Sequence, residues 1–163
     1  MKDSFEAVVE GVEIQDLGKL MQYLESKSRE PFEVSLFDGE KCEYYSGFTD
    51  EIVSKMERCE EGIYVTTVIQ ALEISENLTL SIVLIRFFCV SCNSVTRIDM
   101  DMSFECEWGE LDIYMTEIKE MLLSISAFVK VDEFFGGMEP ASDIRTRYFT
   151  GTELGPLALN SRE

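Results

Sequence analysis

The chain predicts an α+β fold in one domain, residues 1–163, and three observations carry that expectation. Three long strand-like stretches, 63–74, 78–92 and 95–108, follow one another with only short connections at Asn77 and Asn93-Ser94. Spacing this tight makes an antiparallel meander the simplest arrangement. Helical periodicity recurs along the chain without strict strand–helix alternation, which argues against a parallel, doubly wound sheet. Charge is also partitioned: residues 62–98 hold two acids and two bases, whereas 1–61 hold 16 acids against 7 bases. The neutral strands are therefore expected to be central and buried. The predicted architecture is a mainly antiparallel sheet (meander 63–108) with about three helices packed against it.

Taken in order, "FEAVVEGVEI" (5–14) alternates loosely and reads as a first strand. Asp16 can cap a helix in which Leu17, Leu20, Met21 and Leu24 recur at helical spacing. That helix should end before Pro31, because the residue preceding a proline disfavours helical angles. "FEVSLFD" (32–38) and "CEYYSGF" (42–48) form a hairpin around Asp38-Gly39. Thr49 caps a short helix with stripe Ile52, Val53, Met56 and Cys59, ended by Gly62. After the meander, residues 110–129 make the clearest helix. Leu111, Tyr114, Met115, Ile118, Met121, Leu122, Ile125 and Phe128 share one side, with Asp112, Glu117 and Glu120 opposite. "VDEFFGGMEPASD" is rich in turn formers, and "IRTRYFT" (144–150) reads as a last strand.

Composition narrows the function. Net charge is −18, from 32 acids and 14 bases, and such a field repels nucleic acid and anionic membranes while attracting a basic partner. Histidine is absent, which removes Ser-His-Asp and Cys-His catalysis and histidine-dependent zinc sites. No enzyme activity, cofactor or metal is expected. "MKDSFEAVVEGVEI" carries acids where a secretory signal needs an apolar core, and "SIVLIRFFCV" (81–90) is too short to span a membrane. The expected location is therefore the cytoplasm. Five dispersed cysteines then read as reduced thiols. Cys89 and Cys92 have the C-x-x-C spacing, but they have opposite parity on a strand and no second pair accompanies them.

Other motifs have bland readings beside the functional ones. Gly136-Gly137 is read as a turn, with close approach to a ligand as the alternative. Arg145 and Arg147 would share a strand face, where they either hold an anion or pair with the chain's own acids; internal pairing is favoured.

The stretch "RIDMDMSFECEWGELD" (97–112) is the main candidate site. Ile98, Met100, Met102, Phe104, Cys106 and Trp108 alternate with Asp99, Asp101, Glu105 and Glu107, so one strand face is apolar and the other acidic. A calcium loop would need glycine-rich turns that are missing here. Glycosidase carboxylates sit among aromatics, whereas Phe104 and Trp108 point to the other face. Continuing through Glu110, Asp112, Glu117 and Glu120, the segment offers spaced negative charge that suits the Lys/Arg side chains of a basic protein. A solvated face is the alternative. Tyr44, Tyr45, Phe48, Tyr148 and Phe149 are candidate anchors, with core packing equally open.

In size, acidity and absent catalytic machinery the chain resembles the immunity proteins of bacterial toxin systems. That resemblance implies a non-enzymatic inhibitor that binds a cognate basic toxin domain, such as a nuclease, and occludes its active site. Two other readings stay open: an acidic decoy, phage- or plasmid-encoded, of a host nucleic-acid-binding protein, and a small-molecule-binding or enzymatic domain with a pocket near Arg145 and Arg147. A homo-oligomer is open as well.

Overall fold

The computed structural model describes residues 1–58, 62–92 and 94–160, with the side chains of Cys92 and Asn160 left aside. Its centre is the expected meander: β4 (Tyr64–Ser75), β5 (Leu78–Cys92) and β6 (Val95–Glu107) pair antiparallel with their sequence neighbours. The hairpin β2 (Glu33–Phe37) and β3 (Cys42–Ser46) extends this sheet beside β4. Asp38 makes their turn, its Oδ1 accepting the N–H groups of Glu40 and Lys41 at 3.0 Å.

On the other side, β1 (Lys2–Val12) lies against β6, and β7 (Glu133–Met138) against β1. The short strands β8 (Arg147–Thr150) and β9 (Glu153–Leu154) complete a nine-stranded sheet, ordered β3-β2-β4-β5-β6-β1-β7-β8-β9. All pairings are antiparallel.

Among the described residues there are four α-helices, where about three were expected: α1 (Leu17–Lys27), α2 (Asp50–Glu57), α3 (Leu111–Ser126) and the short α4 (Pro156–Asn160). The stripes read from the sequence supply the buried helix faces, except that Val53 and Tyr114 are half-buried and Phe128, just past the end of α3, is 40% exposed. Leu17, Leu20, Met21 and Leu24 of α1 join Ile52 and Met56 of α2 and six residues of α3 in one core with the sheet. Each strand adds alternate residues to that core: Val83, Ile85 and Phe87 from β5, and Ile98, Met100 and Met102 from β6, all fully buried. Burying each such side chain contributes about 1.5–3 kcal/mol. Thr49 caps α2 as expected, its hydroxyl accepting the Ile52 N–H at 3.4 Å. Cys59, placed by the sequence on the α2 stripe, lies outside the described residues.

Three expectations change. Asp16 makes no side-chain cap for α1; its Oδ2 accepts the Lys130 N–H at 2.9 Å, tying the start of α1 to the segment after α3. The stretch read as turns around Gly136-Gly137 is strand β7. Both glycines are there because a neighbour leaves no room for a Cβ. At Gly136 it would lie 2.7 Å from the Phe149 ring, and at Gly137 it would lie 2.2 Å from the Thr146 carbonyl oxygen. Finally, the meander is central but buried on one face only, since α1, α2 and α3 all pack on the same side.

Candidate partner-binding surface

The uncovered side of the sheet is built by the residues that alternate with the core set. Register aligns Tyr44, Ser35, Thr66, Arg86, Asp101, Val8 and Phe135 in one row across seven strands. A second row runs Val68, Leu84, Ser103, Glu6 and Gly137. The antiparallel pattern permits such one-sided exposure, because no crossover helix has to return over the second face.

Asp99, Asp101, Glu105 and Glu107 all belong to this open face, as their parity predicts, but their environments differ. Asp101 stands directly opposite Arg86, whose Nε donates to its Oδ1 at 2.7 Å. This contact raises the Arg86 pKa above its ordinary range. Asp99 is half-buried, and its Oδ1 accepts the N–H of Gly11 at 2.9 Å, where β1 bulges between Val9 and Val12. Burial raises the Asp99 pKa, outweighing the Gly11 hydrogen bond. Glu105 and Glu107 are exposed, opposite Ser4 and Lys2 of β1.

The remaining predicted acids lie elsewhere. Glu110 closes a short 3-10 turn, Trp108–Glu110, that leads into α3. Asp112, Glu117 and Glu120 are carried by α3, in the helical layer behind the sheet. Asp112 also accepts the Tyr148 hydroxyl. The eight acids therefore form two groups on opposite layers. Trp108, expected on the apolar side, is 42% exposed and packs edge-on against Phe5 at 5.2 Å between ring centroids.

Beyond the β6 acids, Glu6 and Glu10 of β1 carry carboxylates on this face. Burial is the main cause of a raised pKa in both. Glu6 is covered by the segment after β7, and its Oε1 accepts the Ala141 N–H at 2.7 Å. Arg147 lies over the Phe135 ring at 3.8 Å and forms an ion pair with Glu133 at 3.8 Å. Arg145 occupies a 3-10 turn instead of the strand and pairs with Asp143 at 3.2 Å. Both arginines thus follow the internal-pairing reading.

Among the candidate anchors, Phe48, Tyr148 and Phe149 are buried, Tyr45 is half-buried, and Tyr44 is 66% exposed. Cys106 is buried, which pushes its thiol up to about 11. Among the described residues, no group of histidine, cysteine or carboxylate side chains is placed to hold a metal. No described helix is long and apolar enough to cross a membrane.

Residues 3–154 match the family described as PABL017 Cdi1I immunity protein. The chain belongs to that family. The resemblance drawn from size and charge is thereby given a specific family. The immunity protein is also similar to a chain in a crystal structure described as the toxic C-terminal tip of CdiA from Pseudomonas aeruginosa in complex with immune protein. Identity is 28% and the TM-score 0.83, over 96% of this chain and 99% of that one. No curated protein matches.

The sequence reading passed over the apolar part of the immunity protein's open face. Val68, Ile82 and Leu84 sit among its polar residues, and Val68 and Ile82 are 51% and 62% exposed. Ile82 and Leu84 lie in the run "SIVLIRFFCV" and Val68 in the preceding strand, and a mostly apolar run reads as a strand buried on both sides.

Proposed function

We propose that this immunity protein binds and neutralises a cognate CdiA-type toxin domain, without catalysis of its own, by covering the toxin's active site. The observation that carries this reading is the family match over residues 3–154. A similar chain belongs to a complex of a CdiA toxic tip with its immune protein, which supports a toxin tip as the partner. The finer reading is that the toxin is basic and acts as a nuclease. A net charge of −18 supports it, because a phosphate-binding surface is complementary to a carboxylate-rich one. The site of action is then the cytoplasm, where nucleic acid is accessible to such a toxin.

In this reading the two acidic groups differ in role. Asp99, Asp101, Glu105 and Glu107 belong to the face that meets the toxin. Glu110, Asp112, Glu117 and Glu120 strengthen the field that guides encounter; at physiological salt its range is about 8 Å.

The test is co-expression of the CdiA-type C-terminal tip from the same genome with and without this chain. Growth restored by the chain, together with a stoichiometric loss of RNA or DNA cleavage by the purified tip, is the expected result. A tip that stays toxic beside well-expressed, folded immunity protein would overturn the reading. Growth restored with a tip that cleaves no nucleic acid would overturn only the nuclease assignment.

A further inference from the structure

We infer that the toxin domain seats an apolar side chain, flanked by lysine or arginine, on Val68, Ile82 and Leu84 on the β4–β5 part of the open sheet face. The inference rests on the toxin-binding reading and deepens it by naming the docking point. Val68 faces Leu84 across the β4–β5 pair, and Ile82 lies one same-face position farther along β5. The three make a contiguous aliphatic patch on β4 and β5, beside the point where the β5–β6 pairing ends at Leu84 and Ser103. Ile82 and Leu84 line a depression of about 410 Å³ with Val68, Ser103 and Glu105. Ser103 Oγ, buried in its wall, has no hydrogen-bond partner among the described residues, an uncommon state for a buried hydroxyl.

Charge complementarity selects the occupant. Glu105 borders the patch on the β6 side, with Lys2 of β1 also lining that depression, and Glu33 borders an adjoining one of about 300 Å³ that Val68 and Tyr44 also line. Among the described residues neither Glu105 nor Glu33 has an ion-pair partner, unlike Asp101 with Arg86. An apolar centre with a charged rim is the usual anatomy of a protein interface. Unpaired carboxylates on that rim call for cations from the partner. A second copy of the chain would bring its own carboxylates against them and add another −18 charges. An anionic membrane is disfavoured for the same reason.

The test measures binding of the purified CdiA-type tip from the same genome by wild-type protein, Val68→Lys, Ile82→Lys and a control, Ile113→Lys. Ile113 is exposed on α3, in the layer behind the sheet, so its substitution should leave affinity unchanged. Thermal unfolding confirms that each variant is folded. Because these positions are solvent-exposed, Val68→Gln and Ile82→Gln replace any lysine variant that fails to fold. Loss of a central anchor should weaken binding by about 30-fold or more at positions 68 and 82. Wild-type binding with both sheet variants within about threefold overturns the docking point alone, as does loss confined to Ile113→Lys. A stable dimer of the free protein, broken by Ile82→Lys, would assign the patch to a second copy and overturn the inference. Wild-type protein that does not bind the tip overturns the toxin-binding reading itself, and the docking point with it.

Discussion

Arg86 and Asp101 face each other directly across β5 and β6, and their ion pair lies on the sheet face that the helices leave open. The Asp101 side chain is 13% exposed, whereas the Arg86 side chain is 41% exposed. The pair is asymmetric: the carboxylate depends on the guanidinium more than the reverse. Arg86→Ala strands a nearly buried carboxylate and should cost about 1–3 kcal/mol. Asp101→Ala leaves a cation that reaches water, so its cost should be smaller, about 1 kcal/mol. Urea unfolding of both single variants and the double variant gives the coupling. Equal single costs would contradict the asymmetry.

Asp99 holds the bulge of β1 through the Gly11 N–H, and Gly11 has φ +72°. A Cβ there would also press on the Asp132 carboxyl. Gly11→Ala should therefore destabilise by about 1–2 kcal/mol. Asp99→Ala should speed hydrogen exchange at the Gly11 amide while leaving amides in the middle of β5 protected. Uniform loss of protection would instead make Asp99 a global support.

The two glycines of β7 should respond unequally. At Gly136 an added methyl meets the Phe149 ring and Met115 Sδ, which are side chains able to shift. At Gly137 it meets backbone of Thr146 and Arg147, which cannot yield without separating β7 from β8. Gly136→Ala should cost about 1–3 kcal/mol, the range for overpacking, and Gly137→Ala more. Melting curves of the two variants under identical conditions decide the order.

Opposed carboxyl shifts shape the pH dependence. Glu6, Glu10 and Asp99 have pKa values raised by burial, so their contribution to stability is fully present below the ordinary 4.5 and 3.8. It is lost as pH rises through their folded values. Glu43 runs the other way: hydrogen bonds from Lys55 and Tyr45 hold its pKa at about 2. Its contribution is present above 4.5 and is lost as pH falls toward 2. Glu10→Gln should therefore stabilise the protein at pH 7, with the benefit vanishing below about 4.5. Glu43→Gln should destabilise at pH 7, with the difference vanishing toward 2. Urea midpoints from pH 3 to 8 provide the check, and parallel profiles for the two variants would contradict it.

Association with the proposed toxin offers an electrostatic test. Asp99 and Asp101 have structural partners, so charge reversal there would confuse folding with binding. Glu105 and Glu107 are exposed and suit the purpose. Glu105→Lys/Glu107→Lys should lower the association rate about tenfold at low salt and flatten its salt dependence. Stopped-flow mixing at two ionic strengths measures both, and an unchanged rate would exclude these two carboxylates from steering.

Much of this arrangement was legible because it follows from local periodicity. The meander, the α1 and α3 stripes and the Thr49 cap depend on residues a few positions apart. The strand β7 was hidden, since "FFGGM" has the composition of a turn. Only the approach of the Thr146–Arg147 backbone explains why glycine must stand there. Asp16 looked like a helix cap because its true partner, the Lys130 N–H, lies 114 residues away.

By itself, the sequence determined the acidic character, the absence of histidine chemistry, and the alternation that puts Asp99, Asp101, Glu105 and Glu107 on one strand face. Tertiary structure decided what that face became. Alternation is a period-two property of one strand, and it cannot say which side the helices will cover. That depends on the long-range packing of α1, α2 and α3, all on the Met100 side of β6. Their placement leaves Val68 and Ile82 exposed from runs that looked buried. The insertion of β1 beside β6, nearly a hundred residues away in sequence, engages Asp99, while the β5–β6 register engages Asp101. Glu105 and Glu107 are left facing solvent.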